Sequence, residues 1–239
     1  MMWSSLNGFQ YSNILNAFRL DENIHIWNAA LDQSASVIRW LFSLLSLEER
    51  KRSQHFIYDR DRDRFIVRHG LLRLLLSHYI RLEPDRIKFI CGQNGKPALI
   101  DAQNKNDIRF NLTYSRGLCL FAISRRREIG VDIEFSGRSL DYDQIVHNFF
   151  TEKEKTFYYR LNKCQRESAF FNLWTKKEAV TKAIGIGLLF PLNLFSVSLL
   201  DYEIVELPSV EGLLLNETKW EVNLLNLFPK FKASWAIET

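Results

Sequence analysis

The seven residues Ile129-Gly130-Val131-Asp132-Ile133-Glu134-Phe135 constrain the fold more than any other stretch of this chain. Apolar side chains alternate there with Gly, Asp and Glu. A strand sends alternate side chains to opposite faces. Ile129, Val131, Ile133 and Phe135 therefore face a core, while Asp132 and Glu134 share the other face. Two carboxylates on one face repel unless a cation lies between them. Oxygen-only ligands suit Mg²⁺, which takes one or two carboxylates plus substrate phosphates. Later in the chain, Phe171-Asn172-Leu173-Trp174-Thr175-Lys176-Lys177-Glu178-Ala179-Val180-Thr181-Lys182 reads as a helix. It adds a third carboxylate, Glu178, with Lys182 one turn further on. Three acids and an amine describe a site for phosphoryl chemistry. Each piece alone has a plainer reading. A D-x-E pair is usually a solvated strand face, and Glu178 with Lys182 is an ordinary surface pair. Trp174, one turn before Glu178, reads as packing the helix against a sheet. Lys176 and Lys177 read as solvated.

At 239 residues the chain can bury a substantial core, as one large domain or two halves. The nearest candidate for a membrane span, Val37 to Leu47, is short and interrupted by Arg39, so it reads as a buried helix. No basic region followed by an apolar stretch opens the chain, so no secretory signal is expected. Cys91, Cys119 and Cys164 are scattered and lack CxxC spacing. They favour a reduced cytoplasmic setting and argue against zinc. The net charge of +4 suits an anionic ligand and an acidic protein partner. With no zinc finger, RNP motif or Gly-rich phosphate loop, nucleic acid is not expected.

Residues 24–29 read as a strand, and a helix follows from about Ser34 to Leu45. Ser46-Leu47-Glu48-Glu49 is a capping box that opens the next helix. A long helix runs from about Arg60 to Ile80, with Phe65, Leu72, Leu75, Leu76 and Tyr79 at helical spacing. Residues 87–91 form a short strand, and Gln93 to Pro97 a turn. Three strands at about 108–115, 118–124 and 128–135 read as an antiparallel meander joined by Arg116-Gly117 and Arg125-Arg126-Arg127. Thr151-Glu152-Lys153-Glu154 is a second capping box, and a further helix spans about 164–184, ended by Gly185 and Gly187. Alternation returns at Phe195–Leu199, Glu203–Leu207, Trp220–Leu225 and Ala233–Ile237, which suggests a second small sheet. Mixed strands and helices in both halves make an α+β pattern.

Several motifs occur in a fixed order: Asn94-Gly95-Lys96-Pro97, Phe110-Asn111-Leu112-Thr113-Tyr114-Ser115, Gly130-Val131-Asp132-Ile133-Glu134, and Trp174-Thr175-Lys176-Lys177-Glu178-Ala179 through Lys182. Gly185-Ile186-Gly187-Leu188 and Pro191-Leu192 follow. In this order the chain resembles a 4'-phosphopantetheinyl transferase of the large, two-half, Sfp-like class. The resemblance runs from the Asp61-Arg62-Asp63-Arg64-Phe65 segment to Val197. It implies two similar halves related by a pseudo-twofold, with small, mostly antiparallel sheets packed by helices and the active site between the halves. Residues 1–125 form the N-terminal half with the coenzyme A nucleotide contacts. Residues 126–239 carry the metal-binding and catalytic groups.

The resemblance also implies an activity. The 4'-phosphopantetheine arm of coenzyme A moves to a serine of an acidic apo carrier protein of a fatty acid, polyketide or peptide synthetase, releasing adenosine 3',5'-bisphosphate. Asp132, Glu134 and Glu178 hold Mg²⁺. Glu178 is also the candidate general base, directly or through a water on the metal, and Lys182 neutralises phosphate charge on the leaving group. Arg52, Arg64, Arg68 and Lys96 are candidates for the nucleotide end. The resemblance places Lys96 on the coenzyme A phosphates and Arg64 at a phosphate-binding position. The plainer reading of Arg60, Arg62 and Arg64 is an Asp/Arg-laced exposed helix face. Thr113 and Ser115 are candidate hydroxyl donors. Tyr114 is a departure, since the family usually has histidine there, on the 3'-phosphate. Tyrosine can donate a hydrogen bond but carries no charge, so weaker coenzyme A binding is expected. Arg125 to Arg127 and His147-Asn148-Phe149-Phe150 are guesses for the acceptor surface, better read as a solvated turn and a core pair. The resemblance suggests a monomer. Two other functions compete: a Mg²⁺-dependent enzyme hydrolysing a nucleotide pyrophosphate, and a non-catalytic carrier-binding homologue.

Overall fold

The computed structural model describes residues 15–19, 24–92, 95–137, 141–209, 218–226 and 229–239. Gln93 and Asn94 of the expected turn lie outside the described residues.

Two four-stranded antiparallel sheets, each accompanied by a long helix, divide the chain between them. The first half runs β1 (Asn16–Arg19), β2 (Ile24–Ala30), α1 (Ala35–Ser43), α2 (Leu47–Ser53) and α3 (Asp59–Ile80). A small hairpin of β3 (Phe89–Cys91) and β4 (Pro97–Leu99) follows, then β5 (Ile108–Ser115) and β6 (Leu118–Arg125). Its sheet order is β1-β2-β6-β5. The second half runs β7 (Ile129–Phe135), α4 (Tyr142–Phe149), α5 (Glu152–Arg160), α6 (Lys163–Ile184), β8 (Tyr202–Glu206), β9 (Lys219–Leu225) and β10 (Phe231–Glu238). Its order is β7-β10-β9-β8. Each half repeats one connection order. A strand leads to two short helices, then to a helix of 22 residues, and later to a hairpin whose second strand pairs with the first strand. The fold is α+β with two similar halves.

Local sequence starts and stops the helices. Ser46 accepts from Glu49 N while the Glu49 side chain returns to Ser46 N, and Thr151 and Glu154 do the same for α5. Gly185, at φ 82°, ends α6 in the left-handed conformation that glycine adopts without strain. The helix α4 was not foreseen; Asp141 caps it by accepting from Gln144 N.

Alternation along the strands builds a core shared by both halves. Ile24, Ile26, Leu120 and Ala122 of the first sheet pack against Ile129, Val131, Ile133, Ala233, Trp235 and Ile237 of the second. Opposite faces serve separate cores: Phe65, Leu71, Leu75 and Phe121 lie in one, and Phe170, Phe171, Val180 and Val222 in the other.

Three expectations are corrected. The meander stops after two strands. The far edge of β6 already carries β2, so β7 pairs with β10 in the other sheet. The predicted strand Phe195–Leu199 is irregular, because side chains rather than a neighbouring strand take its backbone groups. Lys177 Nζ donates to Leu192 O (2.7 Å) and Phe195 O (2.5 Å), and Val197 N donates to Glu154 (2.8 Å). Lys176 and Lys177 are fully buried rather than solvated. Lys176 pairs with Glu203 at 2.6 Å and Lys177 with Glu154 at 3.0 Å, so each buried charge meets a carboxylate. Burial outweighs Glu154 and lowers the pKa of Lys177.

Candidate active site

The acidic strand face of β7 is largely covered, with Asp132 buried and Glu134 half-buried. It meets α6. A Cβ added to Gly130 would lie 2.0 Å from the Ala179 carbonyl oxygen and 2.4 Å from the Ala183 nitrogen. Only glycine lets the helix backbone come this close. The same approach brings the Glu178 and Lys182 side of α6 over Asp132. Lys182 Nζ donates to Asp132 Oδ1 at 2.5 Å and to Thr113 Oγ1 at 3.2 Å. Thr113 Oγ1 in turn donates to Asp132 Oδ1 at 3.1 Å. Burial pulls the Lys182 pKa down, but Asp132, Glu178 and Glu134 outweigh it and the net shift is upward. Asp132 is 3% exposed.

Glu178 is pushed up to about 7, first by burial and then by the Asp132 charge, with Glu134 adding to it and Lys182 opposing. A carboxyl in that range exchanges its proton near neutrality.

The strand β5 contributes the other wall. On one edge β7 pairs with β10; on the other, side chains of β5 take its amides. Asn111 Oδ1 accepts from Val131 N at 3.0 Å, and Ser115 Oγ accepts from Phe135 N at 3.0 Å. Ser115 Oγ also donates to Glu134 Oε2 at 3.1 Å. Asn111, Thr113 and Ser115 alternate along β5, so one strand face bridges both sheets. Thr113 and Ser115, the candidate hydroxyl donors, both donate to the acids here. The sequence signal was the N-x-T-x-S alternation.

The resemblance implies a divalent metal. Among the described residues, no three Asp, Glu, His or Cys side chains are gathered tightly enough to chelate an ion. Asp132, Glu134 and Glu178 share a locality, with Lys182 on Asp132. Their chemistry nevertheless fits a cation. Asp132 Oδ2 is buried with no hydrogen-bond partner, and Glu178 sits high first because it is buried and then because the Asp132 charge lies near it.

The basic candidates divide. Lys96 bridges the halves: its ammonium donates to Glu128 Oε2 (2.7 Å), Ala183 O (2.7 Å) and Ile129 O (3.2 Å). That uses all three protons, so a phosphate contact from Lys96 would require it to exchange one of these acceptors. Burial outweighs the pull of Glu128 and lowers its pKa. Arg64 makes a fork onto Asp32, at 2.6 and 2.7 Å, and a third bond to Arg116 O. Arg62 pairs with Asp59 and Asp63, in keeping with a laced helix face. Arg52 and Arg68 flank Phe65, their guanidinium carbons 5.5 and 5.9 Å from the ring centroid. Arg68 also lies 4.0 Å over the Tyr114 ring, and its buried Nε has no hydrogen-bond partner among the described residues. Trp174 stacks on Phe170 and meets Phe149 edge-on, so it packs α6 against α4, within the core the second sheet shares. Phe150 is a core residue as expected, whereas Phe149 is 41% exposed.

Known proteins match this arrangement half by half. The 4'-phosphopantetheinyl transferase superfamily pattern covers residues 128–233, and the 4'-phosphopantetheinyl transferase N-terminal pattern covers residues 27–124. The 4'-phosphopantetheinyl transferase HetI of a Nostoc species is 33% identical over 90% of this chain and 86% of its own length. The 4'-phosphopantetheinyl transferase Sfp of Bacillus subtilis is 30% identical over 66% of this chain and 67% of its own. The L-aminoadipate-semialdehyde dehydrogenase-phosphopantetheinyl transferase of Xenopus laevis is 28% identical over 72% of this chain and 58% of its own. With HetI matched nearly end to end at that identity, the chain belongs to the 4'-phosphopantetheinyl transferase family.

Proposed function

We propose that this chain moves the 4'-phosphopantetheine arm of coenzyme A onto a serine of an apo carrier protein, with Mg²⁺, releasing adenosine 3',5'-bisphosphate. The observation that carries this reading is the meeting of Asp132, Thr113, Lys182 and Glu178 where β5, β7 and α6 converge. Asp132, Glu134 and Glu178 are the residues that would hold the metal, which would supply charge neutralisation on the diphosphate. The serine oxygen attacks the β-phosphorus, and the bond from that phosphorus to the bridging oxygen breaks. The bond's electron pair leaves with adenosine 3',5'-bisphosphate, whose growing charge faces the Lys182 ammonium. Glu178 is the group placed to take the serine proton. Thr113 holds Asp132 and Lys182 in register.

The first half supplies the nucleotide contacts and the second the metal and catalytic groups. Arg52 and Arg68 form the cationic wall for the nucleotide phosphates, with Tyr114 beneath Arg68 as a hydrogen-bond donor and Arg64 released from Asp32 when phosphate competes for it. The positive net charge suits an acidic carrier of a fatty acid, polyketide or peptide synthetase. A cytoplasmic setting fits three free cysteines, and the family resemblance favours a monomer.

The test is incubation with coenzyme A, Mg²⁺ and apo carriers of the three classes, read by carrier mass. One carrier gains the arm; chelating the metal stops the gain; Asp132→Ala lowers the rate more than about 100-fold with the circular dichroism unchanged. Phosphopantetheine released without any carrier indicates a pyrophosphate hydrolase instead. Asp132→Ala activity within a few-fold of the parent removes the site.

A further inference from the structure

We infer that Ser115 is a positioning residue that sets the Glu134 carboxylate for the divalent ion; this rests on the metal reading above. The Ser115 hydroxyl is 2% exposed and works in two directions. It accepts from Phe135 N at 3.0 Å, the amide next after Glu134, and donates to Glu134 Oε2 at 3.1 Å. The first bond fixes the hydroxyl rotor against the β7 backbone. With its lone pair directed at Phe135 N, the hydroxyl proton is left to point at the carboxylate. Ser115 thus helps to fix the Glu134 carboxylate through its Oε2 oxygen.

The placement of Ser115 is itself fixed. It is the last residue of β5, and Arg116 follows at φ 56° into the turn to β6. The Arg116 guanidinium lies 4.9 Å over the Phe135 ring, and its carbonyl accepts from Arg64. The turn is therefore tied to the end of β7 by one contact and to α3 by the other. The two first-half hydroxyls each serve one acid: Thr113 donates to Asp132, and Ser115 to Glu134. Glu178, on α6, has no such donor among the hydrogen bonds of β5. The acid pair of β7 is thus oriented by the other half of the molecule. A partner that orients a ligand in this way changes metal affinity by about 10- to 100-fold when removed.

The experiment titrates Mn²⁺ into the full chain with coenzyme A present, reading free ion by its electron paramagnetic resonance signal, alongside a thermal melt. Ser115→Ala weakens Mn²⁺ binding about 10-fold, and Ser115→Thr, which keeps the hydroxyl, restores it. Ser115→Cys keeps a side chain of similar size with a poor donor, and weakens binding even if the alanine variant folds badly. In a Glu134→Ala background, Ser115→Ala adds no further loss, because its effect passes through Glu134. Equal Mn²⁺ affinity in the parent, Ser115→Ala and Ser115→Cys overturns the inference alone. So does an undiminished loss in the Glu134→Ala background. A parent chain that binds no Mn²⁺ at all overturns the metal reading and this inference with it.

Discussion

The helices α3 and α6 each have 22 residues and occupy the same place in their halves, yet they handle buried charge in opposite ways. On α3 the buried Arg73 meets Glu49, Pro84 O and Ile87 O, while His69 also reaches Glu49. Burial alone would raise the Glu49 pKa, but the bonds from His69 and Arg73 hold it down at about 2. That set of partners is closed. On α6, Glu178 is raised to about 7, and the nearby Asp132 keeps an unpartnered oxygen. That set is open. A closed set contributes to the fold; an open one leaves free energy for a ligand or a proton. The contrast even runs through α6 itself, since Lys176 and Lys177 are fully matched on its other side.

The largest way to break this comparison uses one glycine from each half. Gly130→Ala pushes a Cβ into the backbone of α6, and Gly70→Ala pushes one to 2.8 Å from Leu41 Cβ and 2.9 Å from Leu41 O. Gly130→Ala costs at least about 3 kcal/mol, as overpacking against backbone leaves little room to relax. Gly70→Ala costs about 1–2 kcal/mol, because alanine's better helix propensity offsets part of the clash. The decisive readout is transfer rate per folded molecule. It falls more than about tenfold for Gly130→Ala, which shifts Lys182 and Glu178 relative to Asp132, and stays near the parent for Gly70→Ala. Equal rates in both variants erase the functional difference between the two helices.

What the sequence made legible was local. Both capping boxes act within four residues, and both formed. The acid pair on β7 and the Glu178–Lys182 spacing follow from strand and helix periods, and the structure brings them together. What it hid depends on distant partners. Burial of Lys176 and Lys177 relies on Glu203 and Glu154 and on carbonyls some way along the chain. Nothing near residue 176 announces this. The departure of β7 from the meander turns on β2 already occupying an edge, which is a matter of pairing rather than pattern. Lys96 lies in a motif that reads as a phosphate contact, yet its three acceptors come from Glu128, Ile129 and Ala183.

Acid titration sharpens the comparison at a smaller scale. Glu49 is depressed from an ordinary 4.5 to about 2. Its contribution is complete above pH 4.5 and is lost as pH falls toward 2. Glu178 is raised from 4.5 to about 7, so the folded state holds its proton more tightly and stability falls as pH rises from 4.5 to 7. Two glutamines then act with opposite signs. In chelator at pH 7, Glu49→Gln loses on the order of 2 kcal/mol, since it strips the partner from a buried arginine. Glu178→Gln gains on the order of 1 kcal/mol by removing an uncompensated charge. Urea titrations at pH 7 and pH 4 check both, and the gap between each variant and the parent narrows at the lower pH. The same sign for both variants contradicts the open and closed assignment.

The smallest effect concerns Tyr114, where sequence and geometry disagree. Sequence alone expects histidine at this position to strengthen coenzyme A binding by supplying a charge. The structure puts the Arg68 guanidinium 4.0 Å over the Tyr114 ring, so a cation is already present. The ring's electron-rich face holds that cation, a contact worth about 0.5–1 kcal/mol at a partly exposed site. An imidazolium in the same place repels Arg68 instead of holding it, and a neutral imidazole adds no charge. Tyr114→His therefore leaves the KM for coenzyme A unchanged or raises it by up to about threefold. Arg68→Ala raises it further, because it removes the charge itself. Steady-state kinetics at pH 6 and pH 8 separate the two imidazole states, with the larger rise at pH 6 where the ring is charged. A KM that drops severalfold on Tyr114→His shows that Arg68 does not stand in for the missing charge.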